Sequence, residues 1–535
     1  MLKKIFNSKS KTITSAAIIL GVASLVSRFL GILRDRILAG EFGAGSELDM
    51  YYTAFRFPDL VFNLLVLGAL SAGFIPVFTS YMSNKDKAWE LVNVVLNVMF
   101  FSLILISTLA IILAPWLVKL IAPGFNGEQL VTTTALTRIM FLSPILLGIS
   151  GVFGSVLQSY KRFFIYSLAP ILYNLGIIVG ALFFTIKFGI FGLAWGVVFG
   201  AFMHMLVQTI AITFLGYHYK WSFSITHKGL LKILKMMVPR TLGLIITQIN
   251  FLVVTIIGST LAVGSIAIFN LANNIQSFPL GLFAISFAIA AFPTLSELAN
   301  KKKQFIEAVS LAIRQILFLI VPASVLLIIL RAQIVRIVLG SGRFDWEDTI
   351  LTLETLSLFA FSLFAQGLIL ILARAFYAQH DSKTPFYTGL VSAFANIILA
   401  VMLVDQFGVS GLALAFSLST ILNFVLLSLI LHYRLGSLDG QRITISTIKI
   451  TTATFMLAIV AQAAKYPLEQ ISGTQTFMGV TAQALTAIIA GLATYFVVCY
   501  FLKSEELNIF ISALKRKISR RPVIAEEIEE TEKLT

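Results

Sequence analysis

The sequence predicts an all-α, polytopic membrane protein with fourteen transmembrane helices, and three observations carry that prediction. Of its 535 residues, 58% are hydrophobic and only 12% charged, against about 25% charged in a typical soluble domain. Apolar runs of about 20 residues, the length that crosses a bilayer, recur along the whole chain. The basic residues between these runs also alternate between many and few, as they do when successive loops face opposite sides of a membrane.

The first span, 14–38, follows Lys3, Lys4, Lys9 and Lys11. No small-residue cleavage site follows a short apolar region, so it reads as a retained helix rather than a signal peptide. The second, 48–80, ends before Lys85 and Lys87. Spans three and four, 89–121 and 130–158, lead to Lys161 and Arg162. Five and six, 163–186 and 190–216, are parted by Lys187 and followed by Lys220, Lys228, Lys232 and Lys235. Seven and eight, 229–258 and 264–297, precede Lys301, Lys302 and Lys303. Nine and ten, 304–339 and 350–379, are parted by Arg343 and followed by Lys383. Eleven and twelve, 385–404 and 409–433, lead to Arg434 and Arg442. Thirteen and fourteen, 445–464 and 476–502, are parted by Lys465. The richer connections all fall on one side, which makes that side cytoplasmic and, with an even count, places both termini there. Spans longer than twenty residues imply tilt, kinks or extension into the headgroups.

These loops account for most of the net charge of +15, so no nucleic-acid partner is implied. Past Lys503 the chain is basic (Lys515, Arg516, Lys517, Arg520, Arg521) and then acidic (Glu526, Glu527, Glu529, Glu530, Glu532). This reads as a solvated, disordered tail with a membrane-surface basic patch. Cys499 is the only cysteine, so no disulfide can form within the chain.

A weak internal repeat runs through the first twelve spans. Phe188-Gly-Ile-Phe-Gly-Leu-Ala-Trp-Gly is similar to Phe407-Gly-Val-Ser-Gly-Leu-Ala-Leu-Ala. Gly73-Phe-Ile-Pro-Val-Phe is similar to Ala290-Ala-Phe-Pro-Thr-Leu, and Asn174 matches Asn396, all at offsets of about 220 residues. Six spans per unit is an even number, so both units insert the same way up, related by a pseudo-two-fold axis along the membrane normal. The expected organisation is a cytoplasmic N-terminus (1–13), an N-lobe (14–216), a cytoplasmic linker (217–228), a C-lobe (229–433), two further spans (434–502) and a charged cytoplasmic tail (503–535). Two facing lobes enclose a cavity near the midplane, which is transporter architecture.

Charge within a span marks function, because each ionised group at membrane depth costs roughly 2.5–3.5 kcal/mol on insertion scales. It is concentrated in Ser24–Ser80, which carries Arg28, Arg34, Asp35, Arg36, Asp49, Arg56 and Asp59. Ser24, Arg28, Gly31 and Asp35 share one helical face. Arg28 and Arg56 lie deepest and read as ligand-binding, since a guanidinium grips phosphate oxygens bidentately and keeps its charge. Asp35 and Asp49 lie nearer the outside and read as an ion-pair latch or gate with Arg34, and Arg34 is expected to contact the substrate as well. The eighth span has no charge but holds Asn270, Asn273, Asn274 and Gln276 before Pro279, which suits either helix–helix hydrogen bonding or a wet cavity. His204 reads as a structural hydrogen bonder. Arg374, Asp381 and Lys383 form a cytoplasmic motif in which Asp381 and Thr384-Pro385 make a turn before a new helix. No nucleotide loop, zinc spacing or nucleophile–base set is present, so neither enzymatic activity, a metal nor a cofactor is expected.

Several of these stretches resemble the MurJ (MviN) family. They are Ser27-Arg28-Phe-Leu-Gly31-Ile-Leu-Arg34-Asp35, Phe42-Gly43-Ala44-Gly45, Asp49, Phe55-Arg56-Phe-Pro58 and Gly68-Ala69-Leu-Ser71 with Pro76. Phe278-Pro279-Leu-Gly281, Pro293-Thr-Leu-Ser296, Arg374-Ala-Phe-Tyr377 and Asp381-Ser-Lys383-Thr-Pro385 add to them. The resemblance runs from about residue 14 to 500. It implies a flippase of the multidrug/oligosaccharidyl-lipid/polysaccharide superfamily. Such a flippase moves lipid II, the undecaprenyl-pyrophosphate-linked peptidoglycan precursor, from the cytoplasmic to the outer leaflet for cell-wall synthesis. It implies a cationic cavity between the lobes, a polyprenyl-tail groove at spans thirteen and fourteen, and alternating access. It also implies residence in the bacterial cytoplasmic membrane as a monomer, among membrane lipids and cell-wall synthesis proteins. Arg28, Arg34, Asp35, Asp49 and Arg56 match the family's functional positions. The chain departs where the family has paired arginines and a glutamate in the second span: Phe62, Asn63 and Leu67 stand there. In the eighth span Asn274 likewise replaces an arginine. Asn63 and Asn274 therefore join the expected substrate contacts as neutral donors. The alternatives are a flippase for another polyprenyl-pyrophosphate-linked oligosaccharide and a drug/cation antiporter of the same superfamily.

Overall fold

The computed structural model describes residues 13–68, 70–467 and 476–518, and all regular structure among them is helical. Nine of the described helices are long and apolar enough to cross a membrane, or eleven if each of two bent pairs counts as one span. The chain is a multi-pass membrane protein. The helix Ile13–Phe42 (α1) and the one beginning at Ser46 are further helices of the described chain. Part of the distance from fourteen has a physical cause: Lys383–Leu435 runs on for 53 residues across a break at Gly408. At 1.5 Å per residue that is about 80 Å, more than twice a bilayer core.

The chain forms two compact units. One holds the described residues up to Phe278 together with Ile334–Ser362 and Asp381–Leu426; the other holds Pro279–Gln333, Leu363–His380 and the described chain from Leu427 onward.

In the first unit α1 ends at the Gly43–Gly45 turn and Ser46–Val61 (α2) follows. This second helix continues through π-helical turns at Phe62–Leu67 and Leu70–Phe74 to Ile75–Tyr81. Such wide turns are rare and often lie at functional sites. Phe163–Val179 (α3) packs between α1 and Phe191–Thr213 (α4). The α3–α4 contact depends on glycine: a Cβ on Gly176 would strike the Gly200 backbone, and one on Gly180 would strike Gly196. Lys228–Gly258 (α5), capped by the His227 ring at Gly229 N, lies against the π-helical turns of the second helix. Ser265–Pro279 (α6) completes the part of this unit that matters for the site.

In the second unit Lys302–Ile329 (α7) packs on Gly440–Ala463 (α8), and α8 packs on Phe477–Phe501 (α9). Tyr495 of α9, buried, donates its hydroxyl to the Phe318 carbonyl at 2.7 Å. The expectation of a disordered tail from Lys503 is corrected for its first part, because Glu505–Ile518 is a helix (α10). Its Glu506 is only 2% exposed and accepts hydrogen bonds from Arg314 (2.7 Å), Ser446 (2.8 Å) and Ser504 (2.7 Å). The overlooked signal is the spacing of Leu507, Phe510, Ile511 and Leu514, an apolar stripe of helical period. Arg520, Arg521 and the acidic run lie outside the described residues, as do Lys3, Lys4, Lys9 and Lys11.

The backbone repeats with the sequence. Four pairs of residues adopt positive φ at separations of about 220 residues: Gly43 (65°) and Gly264 (94°), Lys161 (60°) and His380 (59°), Gly189 (55°) and Gly408 (55°), Gly216 (81°) and Gly436 (72°). Gly189 and Gly408 match in ψ as well, at −141° and −135°. A Cβ on Gly192 would strike the backbone seven and eight residues earlier, at Thr185 and Phe184, and one on Gly411 would do the same at Val404 and Leu403. Positive φ is costly for most side chains, so turns shared at this offset agree with the repeat seen in the sequence.

Candidate functional site

A cavity of about 440 Å³ opens within the first unit, lined by α1, α2 with its π-helical continuation, α5 and α6. Each helix contributes one face. The second helix presents Tyr52, Phe55, Arg56, Asp59 and Asn63, α5 presents Leu244, Thr247, Gln248 and Phe251, and α6 presents Asn270, Asn273 and Asn274. These are i, i+3, i+4 and i+7 spacings, so each set turns inward together. Arg34, Leu38 and Tyr51 complete the wall.

Arg34 is held on both sides. Its Nε and Nη2 donate to Asp35 Oδ1 at 3.0 and 2.8 Å, and its Nη1 donates to Asn174 Oδ1 on α3 at 3.2 Å. The other carboxylate oxygen of Asp35 accepts from the Asn274 amide at 2.9 Å. The chain Asn174–Arg34–Asp35–Asn274 therefore ties α3, α1 and α6 together. Asp35 is 6% exposed and Arg34 23%, so only the arginine retains a wet surface.

Arg56 is arranged differently. Its Nε donates to the Thr255 hydroxyl at 2.7 Å and its Nη2 to Asn270 Oδ1 at 2.8 Å. The guanidinium carbon stands 5.1 Å from the centre of the Phe251 ring, a cation–π distance. Asp59, one turn further along, shares the cavity wall. Asn63 donates its amide back to the Asp59 carbonyl at 2.8 Å.

Four of the five expected ligand residues, Arg34, Arg56, Asn63 and Asn274, thus line one cavity. Arg28 is not part of the lining; it sits half-buried six residues earlier on α1, about 9 Å along the axis. The expected Arg34–Asp35–Asp49 network forms only at its first two members. Asp49, 3% exposed, instead accepts from the backbone N–H groups of Gly264 (2.6 Å) and Ala267 (2.8 Å), capping α6 from a neighbouring helix. Asp381 accepts from the Lys383 and Thr384 backbone at 2.9 and 3.0 Å, the N-cap of the helix that follows. Arg374 lies half-buried in Leu363–Ala378, and the Lys383 side chain is exposed. His204 accepts or donates at Ser150 Oγ, 2.7 Å away, a contact between packed helices.

Among the described lining residues the charged groups are Arg34, Arg56 and Asp59, with Asp35 already pairing Arg34. The expected cationic character therefore resides in directed donors rather than in a large net charge. Thr255 and Asn174 are absent from the sequence-based site, and Asn270 enters it only as one of the eighth-span amides. Asn174 was visible only as a repeat match, and Thr255 carries no sequence signal at all.

The family model described as "Lipid II flippase MurJ" matches residues 38–504. The chain belongs to the lipid II flippase MurJ family. A probable lipid II flippase MurJ of Buchnera aphidicola subsp. Schizaphis graminum is 31% identical over 424 residues, 78% of this chain and 82% of that protein. One of Rhizobium tropici is 29% identical over 519 residues, 94% and 96%. Among solved structures, a lipid II flippase MurJ in an inward closed conformation shares the fold with a TM-score of 0.74. It is 24% identical, and the match covers 91% of this chain and 99% of that one. An inward-facing multidrug transporter of the MATE family shares it at a TM-score of 0.67 and 14% identity, over 79% and 99%. The chain thus combines this fold with a polar, arginine-bearing cavity among its described residues.

Proposed function

We propose that this protein flips lipid II from the inner to the outer leaflet of the cytoplasmic membrane for peptidoglycan synthesis. The observation that carries the proposal is a buried cavity in which Arg34 and Arg56 stand among amide side chains, in a chain of the MurJ family. Two guanidiniums match the oxyanions of a diphosphate, while Asn63, Asn270, Asn273, Asn274 and Gln248 match sugar hydroxyls and amides. The polyprenyl tail stays in lipid, beside spans thirteen and fourteen, while the headgroup passes. Arg28, nearer the cytoplasmic end of α1, meets the headgroup before it reaches the cavity. Fourteen spans, two six-span lobes, cytoplasmic termini and a monomeric state belong to this reading; the turn repeats and loop charges support them. Alternating access follows, with the lobes exposing the cavity to each side in turn.

The test is complementation of a strain depleted of its own lipid II flippase. Arg56→Ala is expected to abolish rescue while the protein accumulates in the membrane at wild-type level. Rescue by Arg56→Ala at wild-type efficiency would remove the site assignment. The neutral Asn63 and Asn274 favour one second reading, a polyprenyl-diphosphate lipid with a different sugar. In proteoliposomes, lipid II is expected to compete with itself more strongly than such a lipid does; the reverse order would select the second reading.

A further inference from the structure

The two cavity arginines differ in which edge of the guanidinium is occupied. An arginine has a side-on edge, formed by Nε–H and one Nη2–H, and an end-on edge, formed by Nη1 and the other Nη2–H. On Arg34 the side-on edge sits on Asp35 Oδ1 and Nη1 is taken by Asn174. Both edges are engaged. On Arg56 the side-on edge alone is engaged, Nε by the Thr255 hydroxyl and Nη2 by Asn270 Oδ1. Nη1 makes no hydrogen bond with the described residues, and the group lines the cavity.

Both partners are themselves anchored. Thr255, fully buried, donates its hydroxyl to the Phe251 carbonyl at 2.9 Å, which leaves an oxygen lone pair for Arg56. Asn270, 7% exposed, donates its amide to the Ile266 carbonyl at 2.6 Å, which fixes its Oδ1 toward Arg56. The Phe251 ring closes one face. The guanidinium is thus clamped on one edge and one face by neutral groups, which set its rotamer, while the Asp59 carboxyl stands one turn along the same cavity wall.

We infer that Thr255 and Asn270 are positioning residues that hold Arg56 with its end-on fork facing the cavity. There it receives one diphosphate oxyanion pair, while Arg34, tied between α1, α3 and α6 by Asp35 and Asn174, adds its charge to the same cavity. The inference rests on the diphosphate-lipid reading above and adds which arginine is the receptor and what aims it. A clamped fork loses less rotamer entropy on binding than a free arginine does. Because Thr255 and Asn270 are neutral, the groups that hydrogen-bond Arg56 do not themselves compete with phosphate for its charge.

The experiment uses the full-length protein in detergent with two probes, undecaprenyl diphosphate and undecaprenol, which differ only in the diphosphate. Wild type is expected to bind the diphosphate far more tightly. Thr255→Val and Asn270→Ala are each expected to weaken diphosphate binding by about tenfold, the scale of one hydrogen bond to a charged group, with undecaprenol binding unchanged. Arg56→Lys keeps the charge and loses the fork, and is expected to be as poor as Arg56→Ala. Asn270→Asp keeps the volume and places a carboxylate on the guanidinium, and it should weaken binding further at an unchanged melting temperature. Wild-type diphosphate affinity in Thr255→Val and Asn270→Ala would overturn the positioning role. So would equal losses for both probes, since those reflect packing. A wild type that fails to prefer the diphosphate would instead overturn the diphosphate-lipid reading beneath it.

Discussion

Asp49 holds the start of α6 from a different helix. Its two carboxylate oxygens accept from Gly264 N and Ala267 N, donors that the first turn of a helix leaves unpaired. Gly264 itself has φ of 94° and stands so close that a Cβ would strike the Ala44 carbonyl. Asp49→Ala is expected to cost about 1–2 kcal/mol, the usual worth of a capping side chain, and Asp49→Asn less, because one acceptor survives. Gly264→Ala should cost more than either, since strain and collision add. Thermal unfolding in detergent measures all three, and melting temperatures equal to wild type would refute the cap. The same residue shows why the site was half legible. Arg34, Arg56, Asn63 and Asn274 announce themselves as polar groups in apolar helices. The partners of Asp49 and of Arg56 lie roughly 200 residues away, and no local spacing encodes them.

At the scale of the element, α10 is fastened by a charge pair removed from solvent. Arg314, 6% exposed, reaches both Glu505 and Glu506. Burial pushes the Glu506 carboxyl up. Hydrogen bonds from Ser504, from its own backbone and from Ser446, with the Arg314 charge, outweigh burial and hold it below the ordinary glutamate value. A folded-state pKa below the unfolded one stabilises fully above that ordinary value, ~4.3, and the benefit is lost as pH falls through the lowered value. Limited proteolysis should therefore find α10 protected at neutral pH and progressively cleaved below about pH 4. Glu506→Gln should flatten that acid dependence; an unchanged profile in the variant would rule Glu506 out. Arg314→Ala should be the harsher change, about 3–5 kcal/mol, because it leaves a buried carboxylate unpaired. The charged composition of this tail suggested solvation. Buried Leu507 and Glu506 decided otherwise, because packing outranks composition where side chains can be covered.

For the whole molecule, fold class was legible because hydropathy is a bulk property, and the recurring turns because their glycines are bound to backbone shape. Gly189 and Gly408 share φ and ψ, and the Gly192 and Gly411 positions share the backbone segments they press against. Span number is harder, since Lys383–Leu435 reads as one run until its turn at Gly408 is recognised. If that turn reverses the chain as Gly189 does, Lys187 and Arg343 lie outside the cell while Lys85, Lys383 and Arg434 lie inside. The chain is suited to the measurement, because its one cysteine, Cys499, is buried and Cys499→Ala gives a cysteine-free background. Single cysteines at the exposed positions Lys187 and Arg343 are expected to react with an impermeant maleimide in intact cells. Those at Lys85, Lys383 and Arg434 should react only after permeabilisation. Labelling at Lys383 and Arg434 from opposite sides would show that Gly408 does not return the chain. The even count, the common side of the termini and the two equally oriented repeats would then all fall together.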